Sequence, residues 1–127
     1  MSTRPFPWEK SYPPGARWDV PLEIGTLSAM FDQAVSAHAV RNALEFRGKY
    51  ITYRELGDLA TRAGAALLGL GHGKERPVAL YLPNVPLHPI AFFGAVKAGA
   101  PVVHLSPLDA ERELAYKLPV LDRKSVV

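Results

Sequence analysis

Two apolar stretches, Val78-Ala79-Leu80-Tyr81-Leu82 and Val102-Val103-His104-Leu105, decide the fold of this chain. A continuous apolar run of this length is expected of a strand buried on both faces. Pro83 stops the first run, and Asn84 is placed to cap a helix whose first turn holds Pro86, where a missing N–H does no harm. From Leu87 to Ala98 the only charge is Lys97, so this helix has to be covered nearly all round, and Gly99 ends it. Strand, helix and strand with short joints make a βαβ unit, and such crossovers are overwhelmingly right-handed and parallel. The fold class read from this is α/β, a partial open α/β domain. Ser106 as N-cap and Pro107 at the first position start another helix, with Asp109 and Glu111 near its positive end. That helix reaches Pro119 where a further strand is expected, so the sheet reads as incomplete and Val102–Leu105 as an open edge.

Upstream the pattern changes period. Ala43-Leu44-Glu45-Phe46 and Tyr50-Ile51-Thr52 alternate on either side of a turn at Arg47-Gly48-Lys49, which predicts a β-hairpin. Thr52 with Glu55 forms a capping box opening a helix from Tyr53 to about Leu70. Tyr53, Leu56, Leu59, Ala60, Ala63, Leu67 and Leu70 are expected to face inward, and Gly71 to close the helix in a left-handed conformation. Before the hairpin, Thr26 is a plausible N-cap. Leu27, Met30, Phe31, Ala34, Val35 and His38 follow at the spacing of an amphipathic helix. Residues 1–25 hold five of the twelve prolines (Pro5, Pro7, Pro13, Pro14 and Pro21) and read as an extended arm, pinned to the body by Trp8, Tyr12 and Trp18.

Composition excludes several function classes. With 127 residues, 48% hydrophobic and 21% charged, the chain is one globular domain in size and character. The net charge of +3 comes from scattered basic residues with no Lys/Arg run among aromatics, so no nucleic-acid partner is expected. The absence of cysteine removes disulfides, thiolate zinc sites and cysteine nucleophiles. Met1 to Lys10 has no apolar core and is no secretory signal. The longest apolar stretch, Ile90 to Leu105, is broken by Lys97, glycines, Pro101 and His104, so no integral membrane segment is expected. The expected location is cytoplasmic.

No catalytic, cofactor-binding or metal-binding residue emerges from the motifs. Gly69-Leu70-Gly71-His72-Gly73 closes a helix before a strand, the reverse of a phosphate loop. The four histidines, His38, His72, His88 and His104, have no ligand spacing, and Asp109, Glu111 and Glu113 spread around a helix as a solvated face. Ser106 lacks the turn of a nucleophile elbow and is explained as a cap. Leu82-Pro83-Asn84-Val85-Pro86 lies outside the carboxyl end of a strand, where open α/β sheets bind ligands, although a turn-plus-cap role accounts for it.

In order, these segments resemble the N-terminal region of AMP-forming acyl-CoA synthetases. The resemblance rests on Ala43–Phe46 with Ile51-Thr52-Tyr53-Arg54-Glu55-Leu56, on Arg76-Pro77-Val78-Ala79-Leu80-Tyr81-Leu82-Pro83-Asn84, and on Ala91-Phe92-Phe93-Gly94-Ala95-Val96-Lys97-Ala98-Gly99-Ala100. Val102-Val103-His104-Leu105-Ser106-Pro107 with Arg112-Glu113-Leu114 completes it. Trp8, Tyr12-Pro13 and Val20-Pro21-Leu22-Glu23-Ile24 are similar to the leader of bacterial long-chain fatty acid–CoA ligases. The resemblance implies an enzyme using ATP, Mg and CoA to convert a fatty acid to its adenylate and then its thioester. The phosphate loop, the nucleotide-binding motifs and the catalytic lysine of that family lie downstream of every residue here. The implied role of residues 26–118 is therefore scaffold, and the chain by itself is expected to be inactive. An adenylation domain loading a carrier protein and a small non-catalytic α/β binding module are the alternatives.

The resemblance lapses over residues 119–127. Asp122-Arg123-Lys124-Ser125-Val126-Val127 is what GATCGGAAGAGCGTCGTG encodes, a short-read sequencing adapter whose next in-frame codon is a stop. These six residues are expected to be translated adapter.

Overall fold

The computed structural model describes residues 6–17, 19–21 and 25–121. The expectations for Trp18, for Leu22-Glu23-Ile24 and for Asp122–Val127 lie outside the described residues. In chain order the elements are α1 (Leu27–Ala37), β1 (Asn42–Phe46), β2 (Lys49–Thr52), α2 (Tyr53–Gly69), β3 (Val78–Tyr81), α3 (Leu87–Lys97), β4 (Val102–Leu105) and α4 (Glu111–Leu121). The α/β architecture expected from the sequence is the one observed.

The local signals hold in detail. Thr26 caps α1 by accepting from Ala29 N at 3.1 Å. β1 and β2 pair antiparallel across Arg47 and Gly48, both at positive φ, the turn that matches the twist of a two-residue hairpin. At the start of α2 the Thr52 hydroxyl accepts from Glu55 N, and the Glu55 carboxylate reaches back to Thr52 N at 2.8 Å. Those bonds, to the Thr52 backbone N–H first and its hydroxyl second, hold the Glu55 carboxyl below the usual carboxylate range. α2 ends at Gly71, φ +80°, with Gly71 N donating to Leu68 O and His72 N to Leu67 O. Gly99 closes α3 in the same way, through Val96 O and Ala95 O.

β3 and β4 are parallel neighbours, Val78 beside Val102 through Tyr81 beside Leu105, with α3 packed across both. The long helix pair α2–α3 forms the centre of the molecule. Gly64 and Gly94 meet where they cross: a Cβ on Gly94 would stand 2.7 Å from Ala63 Cβ, and one on Gly64 would stand 2.9 Å from Gly94 O. Phe31, Leu56 and Ala60 form the core beside this crossing, backed by Val35, Leu44, Ile51, Ile90 and Phe93. Phe31 stacks on Phe93 with ring centroids 3.9 Å apart. Lys97, the one charge of α3, turns back to Asp32 of α1 and lies over the Phe31 ring.

Several expectations give way. The arm is not extended throughout: Pro7–Ser11 is a turn of 3-10 helix, since proline φ suits a helical first turn and Glu9 accepts from Phe6 N at 2.9 Å. Trp8 and Tyr12 are about half exposed rather than buried anchors, and Trp8 stacks on Phe6. Leu27 and Met30 of α1 and the helix-ending residues His38 and Leu70 are exposed. The strands are not buried on both faces: Leu80 and Leu105 are buried, but Ala79, Tyr81 and His104 are exposed. Among the described elements, α3 is the one that packs against the strand pair.

Asn84 does not cap α3. Pro86 holds the N-cap position with no side-chain bond, and the preceding turn is tied by its backbone, Val85 N to Pro83 O and His88 N to Val85 O. Ser106 does not cap α4 either. Its hydroxyl accepts from Leu108 N in a local turn, and the helix starts at Glu111, with Glu113 accepting from Ala110 N. The hydroxyl at Ser106 found a nearer backbone donor than the helix start. α4 then continues through Pro119 to Leu121 instead of ending there.

Candidate functional site

The edge at the carboxyl ends of β3 and β4 is where open α/β sheets accept ligands. The Leu82–Pro86 turn leaves the sheet there and faces the hairpin. Between them lies an open cavity of about 220 Å³, with Leu44, Phe46, Val85, Pro86 and Pro89 supplying its apolar walls and Glu45, Asn84 and His88 its polar groups. Glu45 is already engaged, accepting from Gly48 N at 2.7 Å.

His88 also meets His104. Their facing ring nitrogens, Nε2 and Nδ1, are 3.1 Å apart, with the ring planes at 87°. Sequence reasoning missed this pair because 16 residues separate its members, and only the crossover closes that distance. The other two histidines stay apart from it: His38 lies beside Tyr53, and His72 carries a buried Nδ1 with no hydrogen-bond partner.

The remaining candidates resolve into structural roles. The Gly69–Gly73 segment is the C-terminal cap of α2, and its Gly71 and His72 N–H groups are bonded to helix carbonyls, leaving them unavailable to an anion. Asp109 is not part of a solvated helical face. It precedes α4, where its carboxylate binds Lys117 Nζ at 2.7 Å and accepts from Ser106 N. The Lys117 bond is the larger reason, the Ser106 bond a lesser one, that this carboxyl sits below its ordinary range. Tyr81 Oη, on β3, donates to Pro107 O at 3.1 Å and fastens the same loop. Among the described residues no group of three or more His, Asp or Glu side chains is arranged to hold a metal ion. No helix there is long and apolar enough to cross a membrane.

A parallel crossover flanked by an antiparallel hairpin and an α2–α3 helix pair is the arrangement of the N-terminal subdomain of AMP-binding enzymes. The chain belongs to that family: the profile of the AMP-binding enzymes matches residues 31–127. It is 40% identical over 118 residues to a long-chain-fatty-acid–CoA ligase of Escherichia coli O6:H1, covering 87% of this chain and 20% of the ligase. Among solved structures it is similar to the N-terminal subdomain of Klebsiella oxytoca NpsA in complex with 3-hydroxyanthranilyl-AMSN, at 27% identity and a TM-score of 0.73. That match covers 76% of this chain and 25% of NpsA. A benzoate CoA ligase from Burkholderia xenovorans LB400 matches at 28% identity and a TM-score of 0.70, over 77% of this chain and 20% of the ligase. The chain thus spans about a fifth of the length of the curated relatives it matches.

Proposed function

We propose that this chain is the opening segment of an ATP-dependent fatty acid–CoA ligase and serves it as scaffold. The observation that carries the reading is the 40% identity to long-chain-fatty-acid–CoA ligases over nearly the whole chain. In the parent reaction a carboxylate oxygen attacks the α-phosphorus of ATP and pyrophosphate leaves. The CoA sulfur then attacks the acyl carbon, and AMP leaves. We infer that the described residues do not hold Mg-ATP. Supporting this, the N–H groups of Gly71, His72, Gly99 and Ala100 are bonded to helix carbonyls, and Glu55, Asp109 and Glu113 are committed to local bonds. We therefore assign no catalytic, nucleotide-binding or metal-binding role in that reaction to any residue of this chain, and place the parent enzyme in the cytoplasm.

Residues 1–25 form the arm in this reading and 26–118 the family segment. The separation of 119–127 rests on the codon argument for Asp122–Val127, since the family match runs to residue 127 and α4 to Leu121. Sequencing genomic DNA across the codon for Leu118 tests it. Continuation into a strand and a Ser/Thr/Gly-rich loop is expected, and Asp-Arg-Lys-Ser-Val-Val followed by a stop in the genome overturns it.

The similarity to NpsA favours one second reading, since that protein also appears as an artificially fused adenylation–PCP di-domain. The test is to express the full genomic reading frame beside residues 1–127 and supply ATP with a long-chain fatty acid. Pyrophosphate release by the long product alone, with thioester formed on free CoA, is the expected result. Transfer only to a phosphopantetheinylated carrier protein selects the adenylation-domain reading. Pyrophosphate release by residues 1–127 alone overturns the scaffold role.

A further inference from the structure

The His88–His104 pair has no part in the scaffold role. His88 is held in the first turn of α3 and His104 in β4, so two separate elements bring one ring nitrogen each to within 3.1 Å of the other. Phe92, one turn along α3 from His88, lies 5.5 Å from the His104 ring at 31° and backs it. We propose that His88 and His104 form a two-imidazole chelating site for a borderline divalent metal ion of the Zn²⁺, Ni²⁺ or Cu²⁺ class, which clamps β4 to the start of α3.

The distance suits the chelate. With each nitrogen about 2.0–2.1 Å from the ion, two ligand nitrogens stand about 3.3 Å apart at the tetrahedral angle and about 2.9 Å apart at a right angle. The observed 3.1 Å falls between them. Imidazole selects these ions over Mg²⁺, which prefers oxygen ligands, so the site is distinct in kind from the ion that accompanies ATP. Without metal the facing nitrogens sit at N–H···N distance, the donor being set by the tautomer. Metal entry moves the donor's proton to the far nitrogen of the same ring by tautomer exchange, so each imidazole keeps one proton and none is released. His104 is exposed, which leaves the remaining coordination positions to water. Acid competes with the metal, because each ligand nitrogen must be unprotonated.

The test uses residues 1–127 with Cu²⁺, Zn²⁺ and EDTA. One equivalent of Cu²⁺ is expected to give an electron paramagnetic resonance spectrum with two equatorial nitrogens. Zn²⁺ is expected to raise the midpoint of thermal unfolding, reversibly with EDTA. His88→Gln and His104→Gln are each expected to weaken binding by at least about tenfold, while His38→Gln leaves it unchanged. Nitrogen NMR of the unsubstituted protein needs no variant: Zn²⁺ should shift His88 Nε2 and His104 Nδ1 together. Equal titration of all four proteins, or shifts at His38 or His72 instead, reveals non-specific histidine binding and overturns the proposal. Because the readout is metal binding rather than ligase activity, it fails or succeeds independently of the scaffold role.

Discussion

Helices α3 and α4 are each 11 residues long and flank β4 in chain order, yet they end in opposite circumstances. α3 has apolar residues on every face, and from His88 to Ala98 every residue is at least half-buried among α1, α2 and the two strands. α4 carries a sequence just as capable of an inward stripe, but only Leu114 among its described side chains is half-covered, and Tyr116 is 78% exposed. Sequence gives both helices; neighbours decide which of them stabilises the fold. Five measurements on urea-induced unfolding of residues 1–127 would break or sharpen that contrast.

The largest effect is expected at Phe31, 4% exposed and stacked on Phe93 of α3. Phe31→Ala should cost about 3–4 kcal/mol through lost burial and a residual cavity. Against typical domain stabilities of about 5–15 kcal/mol, a chain with only eight buried apolar residues among those described should then lose its cooperative transition. A midpoint close to that of the unsubstituted chain would mean that the α1–α3 contact is not the core. Gly94→Ala comes next, at about 1–3 kcal/mol, because its methyl meets Ala63 Cβ and the backbone of α2 and neither can yield without separating the helices. An unchanged or raised stability there would show the crossing to be looser than 2.7 Å implies.

Away from the helix crossing the expected effects shrink. Thr52→Ala should cost about 1 kcal/mol by removing the cap of α2. Its partner gives a pH signature. The Glu55 carboxyl is held below its ordinary range in the folded protein, so its contribution is present above the unfolded value and is lost as pH falls through the folded one. Glu55→Gln should flatten that acid-side slope, and an identical slope in the variant would deny the capping box. Tyr116→Ala, on α4, is expected to stay within about 0.5 kcal/mol of the unsubstituted chain. A loss comparable to that at Phe31 would show α4 to be covered after all.

The elements whose information is local were legible. The hairpin follows from alternation around Arg47-Gly48, and both α2 and α3 stop at a glycine that takes positive φ. The capping errors fall where hydroxyl and amide side chains choose among nearby backbone donors. Ser106 and Asn84 were each plausible caps, but a local turn bonds the one, and a backbone-stapled turn ending in Pro86 removes the need for the other. The candidate site was half legible. The ligand-accepting edge follows from strand order, but nothing in the spacing of four histidines announces that two of them meet.

By itself the sequence determined the order of elements, the caps of α1 and α2, the glycine ends of α2 and α3 and the parallel sense of the βαβ unit, because each depends on backbone geometry within a few residues or on the handedness of a single crossover. Only the tertiary structure decided that Gly64 and Gly94 let α2 and α3 touch, that Lys97 turns to Asp32, and that His88 faces His104. These contacts join residues far apart in the chain, and their distances are fixed by how whole helices and strands pack, which no local pattern encodes.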